Sequence, residues 1–446
     1  MSGLAQILQA MGKEVSGSDR EEGTMVKELA DKGIDVRIGH DADNIPSDCD
    51  LVVVTAAIGK DNVELKKAEE MGLPVWRRSQ LIGYLMRDKI GIAVSGMHGK
   101  STTSAMIAEV LEKAEEDPTI LVGAKVKSIG SNAKFGQSDL LLAEACEFNR
   151  SFLDFEPTIG VITNIEEEHL DTYSDLESII TAFTAFASKI PKDDGVLVGN
   201  IDDVNVRKVL NDCATNKIGF GFNDRPDDFT GVYWQIIEYR WEDGRARFKL
   251  TIDGELQADE YELKIPGKHN VYNAVAAIIV CDFLVIEPEI IKQGLVDFAG
   301  AGKRFDQIGE KDGVLLIDDY GHHPTEVRAS IAGVNEYYPD RELWVVFWPH
   351  QYNRTEQFFD DFAKSFNNVD RLVVLDVYEA RTVDTDKQKV NSQGLAEAIK
   401  QSGVAAEYKP DVEQAVDFVK KNIKSGAVLL VQGAGPTDQF IDLFMK

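Results

Sequence analysis

The sequence predicts an α/β protein of three domains, and three observations predict it. At 446 residues the chain is longer than one ordinary core organises. Short apolar runs alternate with longer amphipathic stretches along its whole length, as strands and helices do in layered α/β folds. Several of those apolar runs are almost continuous, which is what parallel strands covered on both faces require.

The first segment holds Leu51-Val-Val-Val-Thr55 and Leu73-Pro-Val-Trp76 as strands, with a helical pattern over 62–71 that stops at Gly72. A helix is also expected near the start of the chain, within 2–10. The second segment opens with the strand Ile90-Gly-Ile-Ala-Val-Ser95, passes through a glycine-rich loop and continues as a helix over 100–114. Further strands are predicted at Asp139-Leu-Leu-Leu-Ala143, Thr158-Ile-Gly-Val-Ile-Thr163 and Gly195-Val-Leu-Val198. Between 232 and 252 the pattern alternates with period two about Glu242-Asp-Gly244, the signature of a hairpin. The third segment carries Gly313-Val-Leu-Leu-Ile317, Leu343-Trp-Val-Val-Phe-Trp348, Leu372-Val-Val-Leu375 and Ala427-Val-Leu-Leu-Val431. Boundaries near 88 and 300 divide the chain into domains 1–88, 89–300 and 301–446.

Composition narrows the function. With 43% hydrophobic and 28% charged residues the chain reads as a folded protein. Its 48 basic and 76 acidic residues leave a formal charge of −28, which repels a phosphate backbone and argues against nucleic acid as a partner. A small phosphorylated ligand stays compatible with it, because a local pocket can oppose the global field. No apolar run approaches the roughly 18 residues that cross a bilayer, and no basic leader with a cleavage site opens the chain, so no membrane insertion is expected. Cys49, Cys146, Cys213 and Cys281 are scattered without metal-like spacing, which suits a reducing cytoplasm.

The strongest local signal is Ser95-Gly-Met-His-Gly-Lys-Ser-Thr-Thr103, between a strand and a helix. Gly96 and Gly99 permit close backbone approach, and the helix start offers unpaired N–H groups and a positive dipole to phosphate. Lys100 reaches β- and γ-phosphates in such loops, and the Ser101 or Thr102 hydroxyl sits on magnesium. Only two residues lie between Gly96 and Gly99, fewer than in the usual Walker spacing; the plain alternative is a glycine-rich turn with an exposed lysine. Glu144 and Glu147 follow an apolar strand, where carboxylates face the crevice of an open α/β sheet. Glu166–Glu168 alone reads as a solvated charge run and His169 as a structural histidine; beside a phosphate loop, Glu144 and His169 together make a magnesium site. Asn270 and Asn273, i and i+3 near a helix start, share one face, with helix capping as the plain alternative. His322, His323 and His350 cluster near strand ends with Tyr320 and Arg354, a pattern that suits a polar pocket better than packing.

These motifs together resemble the Mur ligase family of peptidoglycan synthesis over nearly the whole chain. The loop Gly96-Met-His-Gly-Lys-Ser-Thr-Thr103 is similar to the family's phosphate loop. Asn164-Ile-Glu-Glu-Glu-His-Leu-Asp171, His269-Asn270-Val-Tyr-Asn273 and Lys303-Arg304-Phe305 are similar to its metal and nucleotide motifs. Asp318-Asp-Tyr-Gly-His-His-Pro-Thr-Glu326 and Pro349-His-Gln-Tyr-Asn-Arg-Thr355 resemble the branch that adds L-alanine to UDP-N-acetylmuramate. The resemblance implies a Rossmann-like UDP-binding domain, a central P-loop ATPase domain with a mostly parallel sheet, and a C-terminal Rossmann-like domain holding the amino acid. It implies ATP and Mg2+, an acyl-phosphate route to the amide, and a monomer or homodimer. By the same resemblance the nucleotide is held by Gly96, His98, Gly99, Lys100, Ser101, Thr102, His269, Asn270 and Asn273, with Arg304 toward the phosphates and Asp319 toward the ribose. Ser101, Thr102, Glu144 and His169 are the metal ligands. Lys100, Glu144, His169 and His350 are the catalytic groups. Ser18 and Asp19 touch the UDP substrate, while Tyr320, His322, His350 and Arg354 surround the amino acid. The alternatives are a paralogue that attaches a recycled peptide to the same acceptor, and a nucleotide-binding protein without ligase activity.

The sequence departs from the family in four places. Met97 replaces a threonine of the loop. Cys146 and Asn149 stand where the family has carboxylates, which leaves the role of Glu147 open. Gln351 replaces an arginine. The first strand and glycine-rich turn are also missing from the sequence as given. The expectation is a UDP-binding domain lacking both, with exposed strand edges near Ser16 and at 51–55, comparatively poor order over 1–88, and weak hold on the UDP substrate.

Overall fold

The computed structural model describes all residues except 56–57, 169–171 and 380–389. The chain forms two compact units. The first comprises Met1–Glu238, Phe248–Tyr261 and Tyr272–Phe298; the second comprises Tyr239–Arg247, Glu262–Val271 and Ala299–Lys446.

The first unit opens with the helix Ser2–Ala10, where the sequence predicts one; it buries Leu4 and Ile7. Strands β1 (Ser16–Asp19) and β2 (Asp35–Ile38) pair in parallel, as do β3 (Val52–Val54) and β4 (Val75–Arg77). These pairs form two separate two-stranded sheets, with no pairing between β1 and β3 among the described residues. The helix Val63–Glu70 between β3 and β4 is capped by Asn62, whose side chain accepts from the Glu64 and Leu65 N–H groups.

A larger sheet follows: β5 (Ile90–Ser95), β6 (Thr119–Val126), β7 (Ser131–Lys134), β8 (Leu140–Glu144), β9 (Ile159–Ile162), β10 (Val196–Asn200), β11 (Asn216–Gly221), β12 (Val232–Glu242), β13 (Arg245–Ile252) and β14 (Glu255–Leu263). Its order is β14-β13-β12-β11-β10-β9-β5-β8-β6-β7. The strands β11, β10, β9, β5, β8 and β6 are mutually parallel, so the carboxyl ends of β5, β8 and β9 lie side by side. That places the loop after β5 between residues following β8 and β9, at the crevice where such sheets bind ligands. β5, β8 and β9 are almost wholly buried, which their unbroken apolar sequences require. The predicted hairpin is present, turning through Asp243 and Gly244 at φ 53° and 71°, and a second turn at Asp253-Gly254 adds β14.

In the second unit, β15 (Asp306–Lys311), β16 (Val314–Asp319), β17 (Leu343–Phe347), β18 (Arg371–Val374), β19 (Ala406–Tyr408) and β20 (Val428–Gln432) form a sheet of order β15-β16-β20-β17-β18-β19. All are parallel except β15, which runs antiparallel to β16. Apolar clusters cover both faces, one around Phe347, Phe362 and Phe366 and one around Trp344, Phe440 and Phe444. No helix among the described residues is long and apolar enough to cross a membrane.

Candidate active site

The phosphate-loop motif occupies the turn from β5 into the helix Lys100–Lys113. Its two glycines are dictated by their surroundings. Gly96 has φ 130°, and a Cβ there would lie 2.0 Å from Thr163 Oγ1; Gly99 has φ 84°, and a Cβ would lie 2.5 Å from Asn273 Oδ1. The loop is strapped to the residues after β9. The Met97 N–H donates to the Asn164 carbonyl at 3.2 Å, and the His98 N–H to Asn164 Oδ1 at 2.8 Å. Asn164 Nδ2 returns a bond to the His98 carbonyl at 2.9 Å, which also accepts from Thr163 Oγ1 at 2.6 Å. The far side of Ile165 is tied by its N–H to Asp203 at 2.9 Å. Met97, the departure from the family's threonine, is buried in the core instead of presenting a hydroxyl. His98 pairs with Glu166.

Three predicted groups converge beside this loop. Ser101 Oγ donates to Glu144 Oε2 at 2.9 Å, and the same oxygen accepts the Gly123 N–H at 2.8 Å. Lys100 Nζ lies 3.0 Å from Glu147 Oε2 and donates to the carbonyls of Gly96 at 2.5 Å and Met97 at 2.9 Å. Burial alone would lower the Lys100 ammonium; the charge of Glu147, with smaller contributions from Cys146 and Glu144, reverses this and holds it above its ordinary value. Burial pushes the neighbouring Cys146 thiol up to about 12, so it stays protonated. Asn273 lies under the loop and accepts from Thr103 Oγ1 at 3.2 Å. His169 falls outside the described residues. At the end of β1, Ser18 Oγ donates to Glu64 Oε2 at 2.7 Å and lies 3.2 Å from His40 Nδ1, while Asp19 is exposed.

The second unit assembles the other cluster. Arg304 lies over the Tyr320 ring, 4.8 Å from its centroid, and 3.8 Å from Glu326. Glu326 also accepts the His322 N–H at 2.9 Å and forms a capping box with His323 at the start of the helix Pro324–Tyr337. The His322 ring stands edge-on to His350, 5.8 Å between centroids, and His350 Nδ1 is 3.1 Å from Arg354 Nη1. Gln351 holds the unusual angles φ 66°, ψ 129°, while its N–H donates to the Tyr378 carbonyl at 2.9 Å. Asp319 is buried and fully engaged: it accepts from Phe305 N, Gly321 N, Ser330 Oγ and Gln432 Nε2. Asn270 donates to the Pro266 carbonyl at 2.7 Å. His269 is buried, and its pKa is lowered by that burial against the pull of Asp319 and Glu326.

Sequence reasoning missed the loop-holding role of Thr163 and Asn164, the Glu147 partner of Lys100, and Glu326, Tyr378 and Glu379. A signal existed for Glu326, three residues after His323; a histidine N-cap conceals the usual capping-box pattern. Glu379 accepts the Tyr352 N–H at 3.2 Å, a contact that no local pattern announces.

A doubly wound sheet with a glycine–lysine loop at its carboxyl edge defines a nucleotide-phosphate-binding α/β protein. Family models extend that class along the chain. The Mur ligase family catalytic domain matches residues 1–90, the Mur ligase middle domain 94–281, and the Mur ligase glutamate ligase domain 303–435. The chain belongs to the Mur ligase family. It is 40% identical over 448 residues to the UDP-N-acetylmuramate–L-alanine ligase of Acetivibrio thermocellus, covering 100% of this chain and 93% of that one. It is 41% identical to the ligase of the same name from Alkaliphilus metalliredigens, covering 98% of this chain and 92% of that one. Among solved structures, the MurC ligase of Thermotoga maritima superposes with a TM-score of 0.82 at 25% identity, over 100% of this chain and 96% of its own. A murein peptide ligase from Psychrobacter arcticus has the same fold, with a TM-score of 0.69 at 21% identity over 100% and 95% of the two chains.

Proposed function

We infer that this chain is an ATP-dependent amide-forming ligase that joins L-alanine to UDP-N-acetylmuramate in peptidoglycan precursor synthesis. What carries the reading is that the phosphate loop and the His–Tyr–Arg cluster occur together in a chain about 40% identical, end to end, to ligases of that name. In the reaction the carboxylate of UDP-N-acetylmuramate attacks the γ-phosphorus of ATP and ADP leaves. The alanine amine then attacks the acyl-phosphate carbonyl, phosphate departs, and the amine loses a proton.

The site chemistry supports this sequence of events. Two anions must be brought together, so catalysis rests on positioning and charge compensation. Backbone N–H groups at 99–102, at the start of the helix Lys100–Lys113, would cradle the phosphates, with Lys100 on the transferring group. The Ser101 hydroxyl and Glu144 carboxylate, already in contact at 2.9 Å, form a hard oxygen donor set that suits Mg2+. A magnesium ion there would supply charge neutralisation; Thr102 and His169 complete the proposed ligands. His98, His269, Asn270, Asn273, Arg304 and Asp319 are assigned to the nucleotide, and Ser18 and Asp19 to the UDP substrate. Tyr320, His322, His350 and Arg354 are assigned to the amino acid, with Arg354 pairing its carboxylate. On this reading, 1–88 binds the UDP substrate, 89–300 binds ATP and 301–446 binds the amino acid, in a cytoplasmic enzyme.

The test is phosphate release with UDP-N-acetylmuramate and ATP, alone and with L-alanine, glycine, L-serine or a tripeptide. L-Alanine is expected to be the best acceptor, with glycine lower by the factor that about 1–3 kcal/mol of methyl recognition supplies. Preferential turnover of the tripeptide would replace this reading with the peptide-attaching one, and no amine-dependent turnover would leave nucleotide binding alone.

A further inference from the structure

The ammonium of Lys100 has three N–H donors, and the protein already occupies them. Two point to the Gly96 and Met97 carbonyls, at 2.5 and 2.9 Å, and the third side faces the Glu147 carboxylate at 3.0 Å. A phosphate can therefore be reached only if one of these partners is given up. The two carbonyls belong to the loop that would wrap the phosphate. Glu147 belongs to the segment after β8 and is fixed independently. It is 1% exposed. Its carbonyl accepts from Tyr173 Oη at 2.6 Å and from the Arg150 N–H at 2.9 Å. The next turn is locked by left-handed Asn149 and Arg150, at φ 53° and 55°. Glu147 thus stays in place when Lys100 moves, and its charge has the same sign as the phosphate it would compete with.

We propose that Glu147 is a positioning residue, a counter-ion that parks Lys100 while the loop is empty and competes with phosphate for it. The proposal rests on the assignment of 96–102 to nucleotide phosphates. Its consequence is that nucleotide affinity is held below what the loop could otherwise reach, which favours release of ADP after each turnover. The Glu147 carboxylate, 3.0 Å from the ammonium, stabilises Lys100 in its parked position, and that interaction is given up when Lys100 turns to a phosphate. Removing that charge while keeping the shape should therefore tighten nucleotide binding.

The experiment is calorimetric titration of ADP, with and without magnesium, into the wild type, Glu147→Gln, Lys100→Met and the double variant. Glu147→Gln is expected to tighten ADP about tenfold, the size of one charge–charge interaction at that range. In steady state it should lower the KM for ATP and kcat together, as slower product release requires. In the Lys100→Met background the same substitution should change ADP affinity less than twofold, because the effect passes through the ammonium. An unchanged or weaker ADP affinity in Glu147→Gln overturns the proposal, and weakening only with magnesium would make Glu147 a metal ligand instead. If Lys100→Met fails to weaken ADP, the assignment of the loop itself falls. Should Glu147→Gln not fold, Glu147→Asp, which withdraws the carboxylate by one methylene, is expected to tighten ADP about threefold; no tightening overturns the proposal equally.

Discussion

Asn164→Ala isolates what holds the phosphate loop in shape. The side chain makes two bonds to His98, accepting its N–H at 2.8 Å and donating to its carbonyl at 2.9 Å. Each contributes about 1 kcal/mol net, and taking the acceptor from a half-buried N–H adds about 1–2 kcal/mol, giving roughly 3–4 kcal/mol in all. The carbonyl keeps its bond from Thr163 Oγ1 at 2.6 Å, so the loss falls mainly on the N–H side. That free energy is drawn from global stability, from ADP binding, or from both. Were it all global, the melting temperature would fall by roughly 6–16 °C, at about 2–4 °C per kcal/mol for a unit of this size. Were it all in the loop, ADP affinity would fall at least about a hundredfold, at about 1.4 kcal/mol per tenfold. Denaturant unfolding and ADP calorimetry on the same variant measure both shares, and their sum is the quantity predicted. A variant that melts within 1 °C of the wild type and binds ADP within about twofold would refute the strap.

Glu144→Gln should leave magnesium-free ADP binding within about twofold but raise the magnesium concentration needed for half-maximal turnover at least about tenfold, read by magnesium titration. Arg354→Ala removes the partner of His350 and should raise the KM for L-alanine far more than the KM for ATP; equal effects would move Arg354 to the nucleotide. Asp318 is 3% exposed and its Oδ1 has no hydrogen-bond partner among the described residues. Burial, with smaller contributions from Asp319 and Asp438, pushes its carboxyl up to about 6 against the pull of Thr437 and Lys303. A raised carboxyl pKa contributes stability that is complete below the unfolded value near 4 and is lost as pH rises through about 6. Asp318→Asn should therefore be more stable than the wild type at pH 7.5 by about 2–3 kcal/mol, with the gap closing below about pH 4 in urea unfolding.

The loop, the strands flanking it and the helix after it were legible because their signal is local: a buried strand, two glycines, a lysine and a helix start within fourteen residues. What holds the loop was not. His98 and Asn164 are 66 residues apart and Lys100 and Glu147 are 47 apart. They meet because β9, β5 and β8 are neighbours in the sheet, and strand order is a property of the whole fold. Strand β14 escaped for a different reason: Glu255–Leu263 is half acidic, so its period-two pattern lacks an apolar face. Asp319, assigned to the ribose by family resemblance, also has a structural part that no motif announces: its two oxygens accept four donors from four separate segments of its own unit.

These observations together resolve an apparent conflict in the composition. A chain with net charge −28 is assigned three anionic substrates or substrate groups: a nucleoside triphosphate, a UDP-sugar carboxylate and an amino-acid carboxylate. The charge near the phosphate loop does not oppose that field by accumulating lysines. The one ammonium within the loop is balanced by Glu147, and Ser101 faces another acid, Glu144. Beside the Arg78 guanidinium, which interacts with Glu144, what the loop offers is directional: backbone N–H groups aimed by two glycines at positive φ, a helix N-terminus, and oxygen donors suited to a divalent cation. Such a site recognises an anion by geometry at short range, where dipoles are strong, and leaves the long-range field negative. The same arrangement accounts for the loop being strapped so heavily by Thr163 and Asn164. Binding that depends on oriented N–H groups fails when the loop relaxes, whereas a cluster of flexible lysines would tolerate it.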